Sequence, residues 1–310
     1  MLSRVANDLY WFGRYLQRSE NTARLVSVHA HLMLDIPRKL EAGWEPLVQI
    51  LGALDDYKSR YKDFSEPNVI RFLLLDPENP GSIVSTLGRA REIVRTVRDG
   101  VPREVWEQLN DMHLYVAEHG EKSLSRARRL EFLTKIIEGA LQIYGQLVAD
   151  MSRDAGFQFL RLGTNLEQAD MTSRILDVRS TSLITPRAAG DLLPFQNIQW
   201  MSVLRSLAAY QMYRRHVRAR VGAARVMRFL LQDRDFPRSV VFCLSAIAQT
   251  LSKLPPDRNV ERALERIRGV VVDADIETLV ESGWHELLDE IQIGLGKVHE
   301  AVEKAYFVPV

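Results

Sequence analysis

The sequence predicts an all-α protein, a multi-helix bundle of about twelve helices, and three observations carry that expectation. Apolar residues recur at helical spacing along nearly the whole chain. No run alternates polar and apolar residues between turn signals, as a half-buried strand would. Proline and glycine fall where helices should start or stop: Pro37, Pro46, Pro67, Pro77, Pro80 and Pro102 early in the chain, and Pro186, Pro194, Pro237, Pro255 and Pro256 later.

The elements follow in order. A first helix over 3–35 is strongly amphipathic and ends before Pro37. A second, 45–58, opens at Pro46. The third, 66–75, has Ser65 as its N-cap with Glu66 and Pro67 behind it. Helices over 81–98 and 102–118 start beside Pro80 and Pro102, and long periodic stretches give 123–152 and 154–179. The segment from Arg179 to Pro194, rich in Ser, Thr, Pro and Gly, is the clearest long loop, either a lid over a site or a crossover between helix layers. Beyond it come 195–214, 222–232, 237–252, 258–269 and 283–306. Between 214 and 228 lie six arginines, but a break at Val221 and Gly222 makes them a solvated turn and not one basic stripe.

The chain has 310 residues, 46% of them hydrophobic and 26% charged, as in an ordinary soluble globule. Forty-one basic side chains against 40 acidic ones create no global field towards nucleic acid or an anionic membrane. Cys243, inside V-V-F-C-L, reads as a buried inert thiol. No apolar run approaches the roughly 20 residues that span a bilayer, and the N-terminus lacks a secretory pattern. The expectation is a cytoplasmic protein.

One motif occurs twice. Residues 12–25 read F-G-R-Y-L-Q-R-S-E-N-T-A-R-L and residues 162–175 read L-G-T-N-L-E-Q-A-D-M-T-S-R-I. At an offset of 150, Gly13, Leu16, Thr22 and Arg24 return as Gly163, Leu166, Thr172 and Arg174, and Glu20 returns as Asp170. A second match joins 71–87 to 228–244 at an offset of 157, where Arg71, Phe72, Leu73, Leu74, Asp76 and Pro80 are answered by Arg228, Phe229, Leu230, Leu231, Asp233 and Pro237. Two segments in the same order predict two homologous halves, 1–150 and 151–310, within one domain.

On a helix, Gly13, Gln17, Glu20, Asn21 and Arg24 share one band, opposite Phe12, Leu16, Ser19, Ala23 and Val26. Gly163, Glu167, Asp170 and Arg174 share the matching band of the second copy. A glycine in mid-helix costs about 1 kcal/mol relative to alanine, so its recurrence on a charged face suggests close approach by another helix or a ligand. The alternative is a pair of solvated i,i+4 ion pairs, each worth about 0.3–0.5 kcal/mol.

These motifs resemble the Alpha-E family, bacterial α-helical proteins whose members read close to G-R-Y-L-E-R-A-E-N-T-A-R and L-E-R-A-D-M-T-S-R-I-L-D-V-R. Here the resemblance rests on G-R-Y-L-Q-R-S-E-N-T-A-R from Gly13 and L-E-Q-A-D-M-T-S-R-I-L-D-V-R from Leu166. It extends to N-P-G-S-I at Asn79, A-R-E at Ala90 with Trp106 and Asn110, and F-P-R-S-V at Phe236. The chain departs from the pattern twice: Gln17 stands where the first Glu-Arg pair has Glu, and Gln168 where the second has Arg, leaving Arg18 and Glu167. The resemblance implies partnership with circularly permuted ATP-grasp ligases and transglutaminase-like proteins in making or modifying amide-linked products.

No other chemistry stands out. There is no Glu-x-x-His pattern for a di-iron site, no H-E-x-x-H, no P-loop and no G-x-S-x-G, so no metal or cofactor is expected. His29 and His31 lie too far apart around a helix to share an ion, one packed and one exposed. Three functions are weighed. The first is a non-ATP-binding partner or substrate-binding component, in which Arg18, Glu20, Asn21, Arg24, Glu167, Asp170 and Arg174 hold a carboxylate- or amine-bearing ligand or tail. The second is an enzyme with Glu20, Glu167 or Asp170 as acid or base. The third is a scaffold whose seam is a buried ion network. Arg91, Glu92, Arg95 and Arg238 are secondary candidates for the same interior seam.

Overall fold

The helices Ser3–Asp35 (α1) and Ala155–Leu183 (α8) pack on each other more extensively than any other pair, and the remaining elements are arranged around them. The computed structural model describes residues 2–35, 43–183 and 193–308. Among these are fifteen α-helices and no strand, so the all-α expectation holds with three more helices than the twelve read from sequence.

Between the two long helices come α2 (Glu45–Ile50), α3 (Leu54–Arg60), α4 (Glu66–Leu74), α5 (Ile83–Thr96), α6 (Arg103–Ser123) and α7 (Arg126–Asp150). After them come α9 (Leu193–Ser206), α10 (Tyr210–Val217), α11 (Ala223–Gln232), α12 (Val240–Leu251), α13 (Arg258–Asp273), α14 (Ile276–Ser282) and α15 (His285–Val302). The packing runs in parallel in the two parts. α1 packs on α5 and α7, and α6 closes the outer layer against both; α8 packs on α12 and α15, with α13 against both. The short helices cross over, α2 lying on α8 and α9 on α1.

Two helices predicted as continuous are broken by backbone that an L-residue adopts at a cost. The stretch 45–58 splits at Gly52, with φ of +66°, and 195–214 splits at Ala208, with φ of +53°. Helix α14 was not expected; Asp275 caps it, its carboxylate accepting from the Glu277 and Thr278 amides. The predicted loop 179–194 is shorter than expected, because α8 continues to Leu183 and α9 starts at Leu193; residues 184–192 lie outside the described residues, so the lid reading does too. Ser65 sits at the N-cap of α4 without capping it by its side chain. Serines do cap two other helices by their side chains: Ser82 Oγ accepts from the Ser85 amide before α5, and Ser239 Oγ from the Phe242 amide before α12.

The core is apolar where periodicity placed it. Tyr10, Phe12, Leu16, Ala23 and Val26 of α1 and Leu162, Leu166, Ala169 and Leu176 of α8 are all buried. Helix α1 is not, however, solvated on its polar side: Gly13, Arg14, Glu20, Asn21 and Thr22 are buried as well. The band read as polar is the face that meets α8.

Candidate functional site

The site begins with two glycines. A Cβ built on Gly13 would lie 2.9 Å from Thr164 Oγ1 and closer still to the Leu160 carbonyl oxygen; one on Gly163 would lie 3.0 Å from the Tyr10 carbonyl carbon and closer still to its oxygen. Backbone meets backbone here, so no side chain fits on either helix. The contacts are reciprocal: the partners of Gly13, at 160 and 164, stand 150 residues after those of Gly163, at 10 and 14. The close approach suggested by the recurring glycine is therefore to a helix.

That approach brings charged side chains together in a low-dielectric seam. Glu167, fully buried, takes Arg14 Nε at 2.8 Å, and Arg18 donates both Nε and Nη2 to it at 2.5 and 2.9 Å. Burial alone would raise its pKa; Arg18 and Arg14 outweigh that and hold it at about 2. Glu20 is similarly enclosed. Arg24 Nε donates to it at 2.7 Å, Arg238 Nη2 at 3.0 Å and Gln17 Nε2 at 2.9 Å. Burial pushes its pKa up, but Arg238 and Arg24 hold it below the usual carboxylate value. Asn21 Oδ1 accepts from Gln17 and from Arg238 Nη1, while its buried Nδ2 has no partner.

The two clusters are joined by an amide pair, Gln168 Nε2 donating to Gln17 Oε1 at 3.1 Å. The departures from the Glu-Arg pattern thus face each other, and the members retained, Arg18 and Glu167, face each other too. Each motif pair works between helices and not within one. A bidentate arginine fork supplies both charge and direction, whereas the amide pair supplies direction alone.

Asp170 and Arg174 make the most open part of the seam. Arg174 Nε donates to Asp170 Oδ2 at 2.9 Å, and the arginine side chain is 33% exposed, against 17% for Arg24. A Cβ on Gly52 would come within 2.9 Å of Arg174 Nη1, so the turn between α2 and α3 leaves room for this guanidinium. Further along α8 in the same direction, Arg179 Nη2 bonds His29 Nδ1 at 2.9 Å and His29 Nε2 bonds the Gly43 carbonyl at 2.8 Å. Burial and the Arg179 charge push His29 down to about 3, so the ring is neutral, accepting at Nδ1 and donating at Nε2. Tyr10, pushed up to about 12 chiefly by burial, links Arg14 to His299 Nδ1 at 2.8 Å.

A cavity opens on the seam. It has a volume of about 100 Å³ and is lined by Gly13, Gln17, Glu20, Tyr144, Gln168 and Arg238 among others. It is small beside the several hundred Å³ usual for ligand sites. Among the described residues no group of His, Cys, Asp or Glu is placed to hold a metal ion, and no helix is long and apolar enough to cross a membrane. Cys243 is buried, its thiol pushed up to about 12 by burial.

Of the predicted residues, Arg18, Glu20, Asn21, Arg24, Glu167 and Arg238 converge on the seam, with Asp170 and Arg174 at its edge. Arg91, Glu92 and Arg95 do not. They lie on the outer face of α5, where Glu92 is bonded to Arg91 and Arg95 and more than half exposed. Arg91 also reaches Asn110 at 2.9 Å and covers the Trp106 ring at 5.4 Å, so the A-R-E, Trp106 and Asn110 signals form a separate outer cluster joining α5 to α6. Arg14 was not legible as a seam residue in the sequence, because the position 150 residues later is Thr164 and carries no matching charge.

Comparison with known proteins identifies the family of these motifs. Residues 1–307 match the model of Alpha-E, described as "a predicted alpha-helical domain with a conserved ER motif". Relatives include an uncharacterized protein of Mycobacterium bovis, 25% identical, and uncharacterized proteins from two strains of Mycobacterium tuberculosis, 25% and 24% identical. Each match covers 94% of this chain but 35% of the relative, so the chain spans about a third of the length of these relatives. No solved structure matches the chain.

Proposed function

The chain belongs to the Alpha-E family, and from that premise we propose that it is a non-ATP-binding partner in an ATP-grasp and transglutaminase-like amide-bond-forming system, with its motif seam acting as a lock between two homologous halves. The observation that carries this reading is the saturation of Glu20 and Glu167, each buried and each held by two arginines. An acid or base works best with a pKa near the working pH. Glu167, at about 2, stays ionised and engaged, and Glu20 is shifted the same way. Such groups fix helix register better than they move protons.

Two further facts support a partner role. The sequence has no P-loop or other nucleotide-binding loop, so ATP chemistry belongs to another polypeptide or domain. In the mycobacterial relatives about two thirds of the length lies outside the match, which suits a module that works beside other domains. The Asp170–Arg174 pair, least enclosed of the seam, is the place where a carboxylate- or amine-bearing ligand or tail is taken up, with Arg24 supporting the first half.

The experiment is co-purification with an ATP-grasp ligase and a transglutaminase-like protein, followed by mass spectrometry of the amide product. Arg24→Ala with Arg174→Ala should weaken association and lower product formation in a chain that remains folded. Equal association and equal product would remove the clamp. Glu167→Gln that abolishes product while folding and association are intact would show a catalytic carboxylate and overturn the partner reading.

A further inference from the structure

Helix α7 carries two apolar faces, and the fold uses one of them. Phe132, Leu133, Ile136, Ala140, Ile143 and Leu147 are buried in the core. On a second face Leu130, Leu141, Tyr144 and Val148 are between 37% and 47% exposed, four of the eleven large apolar side chains left open among the described residues. No other described helix leaves more than one. Single exposed apolar residues are ordinary, but a contiguous group of them marks an interaction surface.

The spacing says what shape covers it. Leu130, Ile137 and Tyr144 are seven residues apart, as are Thr134, Leu141 and Val148, and the two series interleave in steps of four and three. That is the a/d pattern of a two-helix seam, sustained for about 27 Å at about 1.5 Å per residue. The stripe is also the wall of a groove. Leu130 shares a cavity of about 590 Å³ with Ala30 and Leu34 of α1, and Leu141 and Tyr144 share the seam cavity with Gly13 and Gln17. It therefore runs along α1 with room beside it near both ends, the setting into which an amphipathic helix lays its apolar face.

Charge selects the occupant. Glu131 and Glu138, both exposed, stand on the open flank of the stripe; Glu131 reaches Arg128 only at 3.7 Å, and Glu138 has no ion pair among the described residues. Arg128 and Lys135 lie further round the helix, away from the stripe. A second copy of this chain fits poorly. The antiparallel pairing that would set Leu130 on Val148 and Ile137 on Leu141 also brings Glu138 against its own copy, a like-charge contact.

We propose that this groove docks a helix from another polypeptide or domain, one with an apolar heptad seam flanked by lysine or arginine. The inference does not depend on the amide-forming role, because its test reads binding alone.

The probes are two fluorescein-labelled synthetic peptides of about four heptads, both with leucine at a and d, one with lysine and one with glutamate at the flanking e and g positions. Fluorescence anisotropy follows their binding to the full-length chain. The expected result is one saturable site per chain for the lysine peptide, with the glutamate peptide weaker by about tenfold or more. Leu141→Gln with Val148→Gln, both at exposed positions, should lower affinity for the lysine peptide by about tenfold or more, and Ile293→Gln, an exposed apolar site on α15, should leave it unchanged. Glu131→Lys with Glu138→Lys should reverse the preference between the peptides. No saturable binding, equal binding of the two peptides, or equal loss in the α7 and α15 variants would each overturn the proposal. So would a dimer in light scattering that Leu141→Gln with Val148→Gln dissolves, since the face would then belong to a second copy.

Discussion

Gln17 and Gln168 hydrogen-bond to each other across the α1–α8 crossing at 3.1 Å, at the position related by the 150-residue offset to the contact of Arg18 with Glu167. One cross-helix pair is ionic and its counterpart is neutral. Two departures that look unrelated in the sequence are therefore one compensated change in space.

Restoring the second ion pair tests that relationship. Gln17→Glu alone replaces a donor facing Glu20 and Asn21 by a carboxylate, and should cost about 2–4 kcal/mol through like charge and two lost hydrogen bonds. Adding Gln168→Arg should recover part of this, with a favourable coupling of about 1–3 kcal/mol in a double-mutant cycle followed by urea unfolding. A coupling near zero would mean that the two side chains do not depend on each other.

Removing the buried carboxylate should be severe. Glu167→Gln leaves Arg14 and Arg18 without their shared anion in the interior, at an expected cost of about 3–5 kcal/mol. Arg18→Gln should cost less, because Arg14 remains bonded to Glu167. Thermal and denaturant unfolding of the two variants under one buffer gives the comparison.

The same carboxylate predicts an acid limb. Its folded pKa of about 2 lies below the ordinary 4.5, so its contribution is complete above about pH 4.5 and is lost as the pH falls through about 2. At about 1.4 kcal/mol per pH unit the contribution is about 3 kcal/mol. Glu20 is shifted in the same direction and adds to the slope. Denaturation midpoints between neutral pH and about pH 3 should fall more steeply for wild type than for Glu167→Gln.

Glycine substitutions should divide by location. Gly13→Ala and Gly163→Ala drive a methyl into the backbone of the opposite helix and should each cost about 3 kcal/mol. Gly88→Ala in α5 and Gly145→Ala in α7 meet nothing within 4 Å and should stabilise by about 0.5–1 kcal/mol. Equal effects at the two kinds of site, read as shifts in Tm, would contradict the crossing.

Much of the architecture was legible in the sequence because helices are local. Apolar spacing fixed the long helices and Cys243 as buried, and His29 and His31 divided into packed and exposed as their angular separation required. The breaks at Gly52 and Ala208 were not legible, since the left-handed backbone that makes them is imposed by packing, and alanine gives no warning of it. Arg91, Glu92 and Arg95 were misplaced for a related reason: helical position says which residues share a face but not what the face meets.

By itself, the sequence determined the helical class, the recurrence of glycine, carboxylate and arginine, and the family to which the chain belongs. It did so because periodicity and motif spacing are properties of the chain alone. Tertiary structure decided what the recurrence is for. The polar band of α1 carries as much charge as a solvated face would, and only docking, with α8 brought close at Gly13 and Gly163, removes it from water, setting Arg14 and Arg18 against Glu167 of α8 and Glu20 against Arg238. The worth of those charges is set by burial and by the oppositely charged groups that burial brings near, neither of which exists before the two helices meet.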